Sequence, residues 1–177
     1  MTSFIMASEV SNYLLLKRLH TLSTIDLLTG VFNRNAMNNR VDEIGKGEAE
    51  KERTLGVVFA DLNGLKQVND LQGHPVGDLL LKNAAMALQN AFLGDEIYRA
   101  GGDEFVILLF DTTVEKIKEK VEHLKKIQGS YGGASFAVGF SFQKNAAEVR
   151  LALHEADEAM YADKKEYYRE HPKEMRG

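Results

Sequence analysis

Tyr98-Arg99-Ala100-Gly101-Gly102-Asp103-Glu104-Phe105-Val106-Ile107-Leu108-Leu109-Phe110 sets two adjacent carboxylates at a bend between two apolar runs. Gly101 and Gly102 allow the positive φ values of a tight hairpin. The flanking runs, 96–100 and 105–110, have the composition of strands. Asp103 and Glu104 are therefore expected at a hairpin tip. Carboxylates fixed side by side repel each other and lose hydration, and a hard divalent cation relieves both costs while gripping phosphate oxygens. Taken alone, such a tip reads better as a solvated acidic turn, since Gly and Asp are ordinary turn residues.

A second acidic position upstream shifts that balance. Thr54-Leu55-Gly56-Val57-Val58-Phe59-Ala60-Asp61-Leu62 is a buried-strand run closing on Asp61. An acid that ends an apolar strand projects past the sheet, where a hairpin tip can share a cation with it. The polar, glycine-bearing stretch from Asn63 to Asp78 follows and opens an amphipathic helix. Backbone amides around Gly64 and Leu65, with the Lys66 ammonium, suit phosphates. Asn69 and Asp78 offer donors and acceptors that match a purine edge. Each of these residues alone is more often a turn former, a helix cap or a solvated charge.

In order along the chain, four motifs resemble those of the GGDEF family of diguanylate cyclases, over about residues 24 to 166. Asp26-Leu27-Leu28-Thr29-Gly30-Val31-Phe32-Asn33-Arg34 is similar to the family's D-x-L-T-G-x-x-N-R opening, and Asp61 to Asp78 to its D-x-D-x-F-K-x-x-N-D-x-x-G-H-x-x-G-D stretch. Arg99 to Phe105 carries the name motif, and Ala156 to Lys164 resembles the A-D-x-A-M-Y-x-x-K helix. Four motifs in sequence order are far more specific than one five-letter match.

The resemblance implies an α+β fold, a ferredoxin-like nucleotidyl-cyclase palm with a mainly antiparallel sheet flanked by helices. It implies condensation of two GTP into cyclic di-GMP with release of pyrophosphate. Mg²⁺ or Mn²⁺ is expected on Asp61, the Leu62 carbonyl, Asp103 and Glu104. Asp103, Glu104 and Lys66 are expected to take part in catalysis. Gly64, Leu65, Lys66, Asn69, Asp78 and Lys164 are expected to bind substrate, with Asn69 and Asp78 on guanine and the two lysines on phosphates. One GTP per domain and two linkages per product imply a homodimer. The alternative is a catalytically silent domain that binds GTP or cyclic di-GMP as a signalling module; a mixed cyclic dinucleotide product is disfavoured by Asp78.

Four departures from the family pattern stand out. Asn63 replaces the second acid of D-x-D, and Ala137 takes the place of the serine in S-x-G while Gly139 is kept. Tyr168 stands where an arginine usually reaches the terminal phosphate, with Arg169 one residue on. The inhibitory R-x-x-D pattern appears as Phe92-Leu93-Gly94-Asp95, without its arginine. Feedback by product at that surface is therefore expected to be absent.

The remainder of the chain sets bounds. At 177 residues with 44% apolar and 27% charged residues, one globular domain with its own core is expected. A net charge of −4 gives no global attraction to nucleic acid or anionic membrane, so phosphate binding must be local. The absence of cysteine excludes disulfides and thiolate metal sites and agrees with a cytoplasmic setting. No run approaches the roughly 18 apolar residues of a membrane helix. Helices are expected at 33–44, 77–92, 113–127 with a capping box from Thr112 to Glu115, and from past Asn145 to about Tyr168. Strands are expected at 55–62, 96–100, 105–110 and 135–142, and Glu48 to Arg53 reads as a solvated loop. Residues 1–24, with Asn12, Leu15, Leu19 and Leu22 near coiled-coil spacing, read as a linker helix with a coiled-coil stub or equally as a helix packed on the domain or frayed, and the resemblance implies an upstream sensor before it; 25–170 are expected to form the domain and 171–177 a tail.

Overall fold

The computed structural model describes residues 10–16, 19 and 24–170. Within them the chain runs α1 (Arg34–Lys46), β1 (Leu55–Leu62), α2 (Leu65–Gln72), α3 (His74–Ala91), β2 (Glu96–Arg99), β3 (Glu104–Phe110), α4 (Val114–Ile127), β4 (Phe136–Gln143) and α5 (Val149–Glu170). The four strands form one sheet in the order β2-β3-β1-β4, every neighbouring pair antiparallel. Strand, helix, two strands, helix, strand in that spatial order is the split βαβ arrangement of a ferredoxin-like palm. The α+β architecture expected from the resemblance is present.

Side-chain alternation assigns each strand residue to one of two apolar layers. On one face Val58, Ala60 and Leu62 of β1 and Phe105, Ile107 and Leu109 of β3 meet Leu81, Ala84 and Leu88 of α3 and Ile117, Val121 and Leu124 of α4. On the other, Leu55, Val57, Val106 and Leu108 meet Val41 and Ile44 of α1 and Val149, Ala152 and Ala156 of α5. Because both faces are covered, the central strands read as unbroken apolar runs rather than as alternating ones.

The α5 side of β4 carries the small residues Ala137, Gly139 and Ser141. A Cβ at Gly139 would lie 2.0 Å from the Met160 nitrogen, and the Ser141 hydroxyl donates to the Ala152 carbonyl at 2.6 Å. Helix α5 therefore lies close against the sheet. Its buried stripe runs Val149, Ala152, Ala156, Met160 at helical spacing, and the next position on that stripe is Lys164.

Both sheet borders are occupied near the hairpin. Beside β2, the Phe32 amide donates to the Ile97 carbonyl at 3.0 Å and the Arg99 amide to the Phe32 carbonyl at 2.7 Å. Beside β4, the Phe136 amide donates to Gln128 Oε1 at 3.0 Å and the Val138 amide to Asp163 Oδ2 at 2.8 Å.

Several local expectations are corrected. Asn63 to Asp78 holds a separate helix, α2, and α3 begins at His74 with Pro75 in its first turn, where a missing N–H costs nothing. The α4 cap is Thr113, whose hydroxyl accepts from the Lys116 amide at 3.3 Å; Thr112 is buried and its carbonyl accepts from the Thr54 hydroxyl. Ala49–Glu52 forms a 3₁₀ turn, closed by Arg53, which reaches Asp111 at 2.7 Å and stacks on Phe110. Residues 10–16 are helical and exposed, as is Leu19; Leu22 and residues 171–177 lie outside the described residues.

Candidate functional site

Strand parity decides where Asp61 points. It is an odd member of β1, so it faces α5 rather than α3 and α4, and it sits at the strand end where the α5 stripe turns from Met160 to Lys164. Lys164 Nζ donates to Asp61 Oδ2 at 2.9 Å. The Asp61 side chain is 3% exposed, that of Lys164 28%. Asp61 Oδ1 is buried without a hydrogen-bond partner. Burial pushes the Asp61 carboxyl up, Lys164 pulls it back, and the charges of Asp103 and Glu104 push it up further. For Lys164 burial opposes the charge, but the bond to Asp61 and the field of Asp103 outweigh it and hold the ammonium above its usual range. The first shift is chiefly the cost of burial, whereas the second reflects the carboxylates around the ammonium.

The hairpin tip reaches the same corner through register. Glu104 pairs with Asp61 across β1 and β3, and the Leu62 amide donates to the Asp103 carbonyl at 2.9 Å. Neither hairpin glycine has positive φ, contrary to the expected turn. What Gly101 supplies is space: a Cβ there would lie 2.5 Å from Glu104 Oε2, so the carboxylate folds back over the glycine.

Arg99 and Asp26 fix the tip from outside, a role that reading the motifs one at a time does not reveal. Arg99 donates from Nη2 to the Gly102 carbonyl at 2.7 Å and from Nη1 to Asp26 Oδ1 at 3.1 Å. Asp26 also accepts from the Thr29 amide at 3.0 Å and hydroxyl at 2.6 Å. Burial works against its ionisation, yet Thr29 and Arg99 together hold its carboxyl below the ordinary range. The opening motif and the hairpin motif are thus one hydrogen-bonded unit, joined across 73 residues. A charged residue ahead of a hairpin glycine pair, matched by an acid in an earlier turn, is the signal that could have found it. Arg34 is exposed at the start of α1, whereas Arg40 of the same helix lies 3.1 Å from Glu96 of β2.

Between the α2 amino terminus and α5 lies a cavity of about 610 Å³, bounded by Leu62, Gly64, Lys66, Asp103, Lys164 and Arg169. Leu65 and Tyr168 also contribute to its wall. Gly64, at φ 72°, turns the chain from β1 into α2. The first-turn amides of α2 have no partners within the helix and suit an anion. Lys66 is exposed at this rim. Arg169 takes a place in the wall beside Tyr168, so a guanidinium remains in the cavity although it is shifted by one residue.

Asn69 and Asp78 are not among the residues bounding this cavity. Asn69 is half-buried on α2, and its Oδ1 lies 1.8 Å from where a Gly77 Cβ would be, so its carboxamide rests on the Gly77 backbone. Asp78 is exposed on the next residue of α3. The two lie together where α2 meets α3, apart from the acidic corner.

The donor set at that corner is hard oxygen: Asp61, Asp103, Glu104 and the Leu62 carbonyl, chemistry that suits Mg²⁺ or Mn²⁺. The partnerless buried Asp61 Oδ1 is an acceptor that a cation would satisfy. Among the described residues no three acidic or imidazole side chains converge as a closed cage.

The inhibitory-pattern surface differs from its expected form. Phe92 is fully buried in the α3 layer, and Asp95 is not left alone, because Lys120 pairs with it and also reaches the Leu93 carbonyl at 3.4 Å.

Among the described residues no helix is long and apolar enough to cross a membrane. Comparison with known proteins bears on the whole arrangement. The profile of the family described as "Diguanylate cyclase, GGDEF domain" matches residues 23–169. Diguanylate cyclase DosC of Shigella sonnei is 32% identical over 155 residues, which cover 80% of this chain and 33% of that protein. Cyclic di-GMP phosphodiesterase PdeR of Escherichia coli is 31% identical over 159 residues, covering 84% of this chain and 23% of that one. The chain thus spans a third or less of the length of these two relatives. The coiled coil and GGDEF domain of DgcB from Caulobacter crescentus, solved in complex with c-di-GMP, superposes with a TM-score of 0.77 at 21% identity, covering 92% of this chain and 91% of that one. With its four motifs, its antiparallel palm and a profile match over most of its length, this chain belongs to the GGDEF domain family.

Proposed function

We propose that this domain is a diguanylate cyclase that condenses two GTP into cyclic di-GMP and releases two pyrophosphates, each 3′-hydroxyl attacking the α-phosphate of the other nucleotide. The observation that supports this reading is that Asp103 and Lys164 line one cavity with the start of α2, and that Lys164 there bonds the buried Asp61. A volume of about 610 Å³ lies within the range of about 300–1,000 Å³ usual for small-molecule sites. Asp61, Asp103, Glu104 and the Leu62 carbonyl would hold Mg²⁺ or Mn²⁺, which supplies charge neutralisation at the α-phosphate and the leaving pyrophosphate.

The chain's own groups do the remainder. The α2 amides at Gly64 and Leu65 bind phosphate oxygens along the helix axis, and Lys66, Lys164 and Arg169 add positive charge around them. Asp103 stands at the tip where it accepts the proton of the attacking hydroxyl. Asn69 and Asp78, paired at the α2–α3 junction, read the guanine edge. One site holds one nucleotide, so the working species is a homodimer with facing sites. An upstream sensor governs that encounter.

Incubating purified protein with GTP and Mg²⁺ or Mn²⁺, and identifying cyclic di-GMP by mass, tests this directly. A second reading, a silent module that binds GTP or cyclic di-GMP, is favoured by the Glu104 carboxylate folded onto Gly101. Nucleotide binding without any cyclic product would select it.

A further inference from the structure

Lys164 does not stand in the cavity as an unattached phosphate ligand. Its ammonium bonds Asp61 Oδ2 at 2.9 Å, at the point where a divalent cation would place its own charge, and Asp61 keeps its other oxygen buried and partnerless. The geometry follows from helix periodicity. Lys164 is the next residue on the stripe Val149, Ala152, Ala156, Met160, so its stem is laid along the sheet end and its head is delivered to the odd face of β1. The close approach of α5 at Gly139 leaves that path little latitude. The Lys164 side chain is 28% exposed and lines the cavity, whereas the Asp61 side chain is 3% exposed, so the carboxylate depends on the lysine for neutralisation while the lysine can still turn to the cavity.

We infer that Lys164 is the resident counter-ion of Asp61 and must exchange: the cation displaces it from the carboxylate, and the displaced ammonium turns to the phosphates that arrive with the cation. This rests on the reading of Asp61 as a metal ligand. Lys164 holds Oδ2 while the cation would take the free Oδ1, and two positive charges crowded onto one buried carboxylate repel each other, so lysine and cation compete for Asp61 in the absence of nucleotide. With nucleotide present they cooperate, because the phosphates offer the ammonium a second partner. The protein should therefore take up cation poorly by itself and well only together with a triphosphate. Such a lock guards the site against bare cations.

The test is Mn²⁺ binding without nucleotide, with free Mn²⁺ read by electron paramagnetic resonance at fixed pH, for the parent, Lys164→Gln, Lys164→Arg and Lys164→Gln/Asp61→Asn. Thermal melts confirm that each variant is folded. Lys164→Gln is expected to bind Mn²⁺ about tenfold or more tighter than the parent. Lys164→Arg, which keeps the counter-ion, should bind like the parent. An unchanged or weaker affinity in Lys164→Gln, with the double variant weaker still, overturns the exchange while leaving Asp61 as a ligand. A double variant that binds as tightly as Lys164→Gln instead overturns Asp61 as a ligand, and with it the cation site itself.

Discussion

At the scale of single residues, the site is a balance of charges on a few carboxylates. Asp103→Asn removes one charge from the corner without changing side-chain volume, so turnover should fall by at least about 10²-fold while the thermal midpoint stays near that of the parent. Turnover like the parent's in a mass-based product assay would remove the hairpin acid from the mechanism. Asp26 allows a test by pH. Its folded-state pKa lies below the unfolded value of about 3.9, so the ionised form stabilises the fold above that value, and the contribution disappears as pH falls through the folded pKa. Asp26→Asn should cost about 1–2 kcal/mol near pH 7, where Thr29 and Arg99 lose a charged acceptor. The two proteins should converge as pH falls through the folded-state pKa, which lies below the unfolded value. Urea midpoints followed from neutral pH into acid measure this, and a gap that widens in acid would contradict the assigned sign. Asp78 was proposed above to read guanine: Asp78→Ala should lower the preference for GTP over ATP by about 1–3 kcal/mol in a competition assay. A selectivity that survives would move base recognition elsewhere on the α2–α3 junction.

At the scale of elements, strands and long helices were legible because apolar periodicity specifies them, and β1 falls on the predicted residues 55–62. What periodicity could not reveal was α2. It spans only eight residues, and although Leu65, Val68 and Leu71 recur at helical spacing, that stripe is barely two turns long and none of its residues is fully buried. The hairpin was found for a partly wrong reason. Glycine was read as backbone freedom, whereas Gly101 serves as room for Glu104. Site residues were legible as types and spacings, but their pairing was not. That Lys164 meets Asp61, and Arg99 meets Asp26, depends on strand parity and helix phase, which only the assembled sheet defines. The tight seat of α5 gives an element-scale prediction. Gly139→Val must push α5 off β4 and should cost about 3 kcal/mol or more, read as a lowered thermal midpoint. A midpoint equal to the parent's would show that the helix can retreat freely. Phe92→Arg belongs here too. Phe92 is fully buried, so the arginine would bury an unpaired charge and destabilise by about 3–5 kcal/mol, measured by urea denaturation, rather than create an anion site.

At the scale of the whole molecule, the covered sheet faces and the occupied sheet borders together restrict how two copies can meet. An open strand edge is the easiest place for two like chains to join, because it offers unpaired amides and carbonyls to any passing strand. Here Phe32 takes the outward groups of Ile97 and Arg99, and Gln128 and Asp163 take the Phe136 and Val138 amides. Continuous sheet extension is closed along β2 and along the half of β4 nearest the cavity. On the proposed function, two copies would meet through side chains and loops around the cavity mouth rather than by pairing strands along these borders. A junction of that kind would let two nucleotides face each other and then let a cyclic product leave, whereas a shared sheet would fuse the pair.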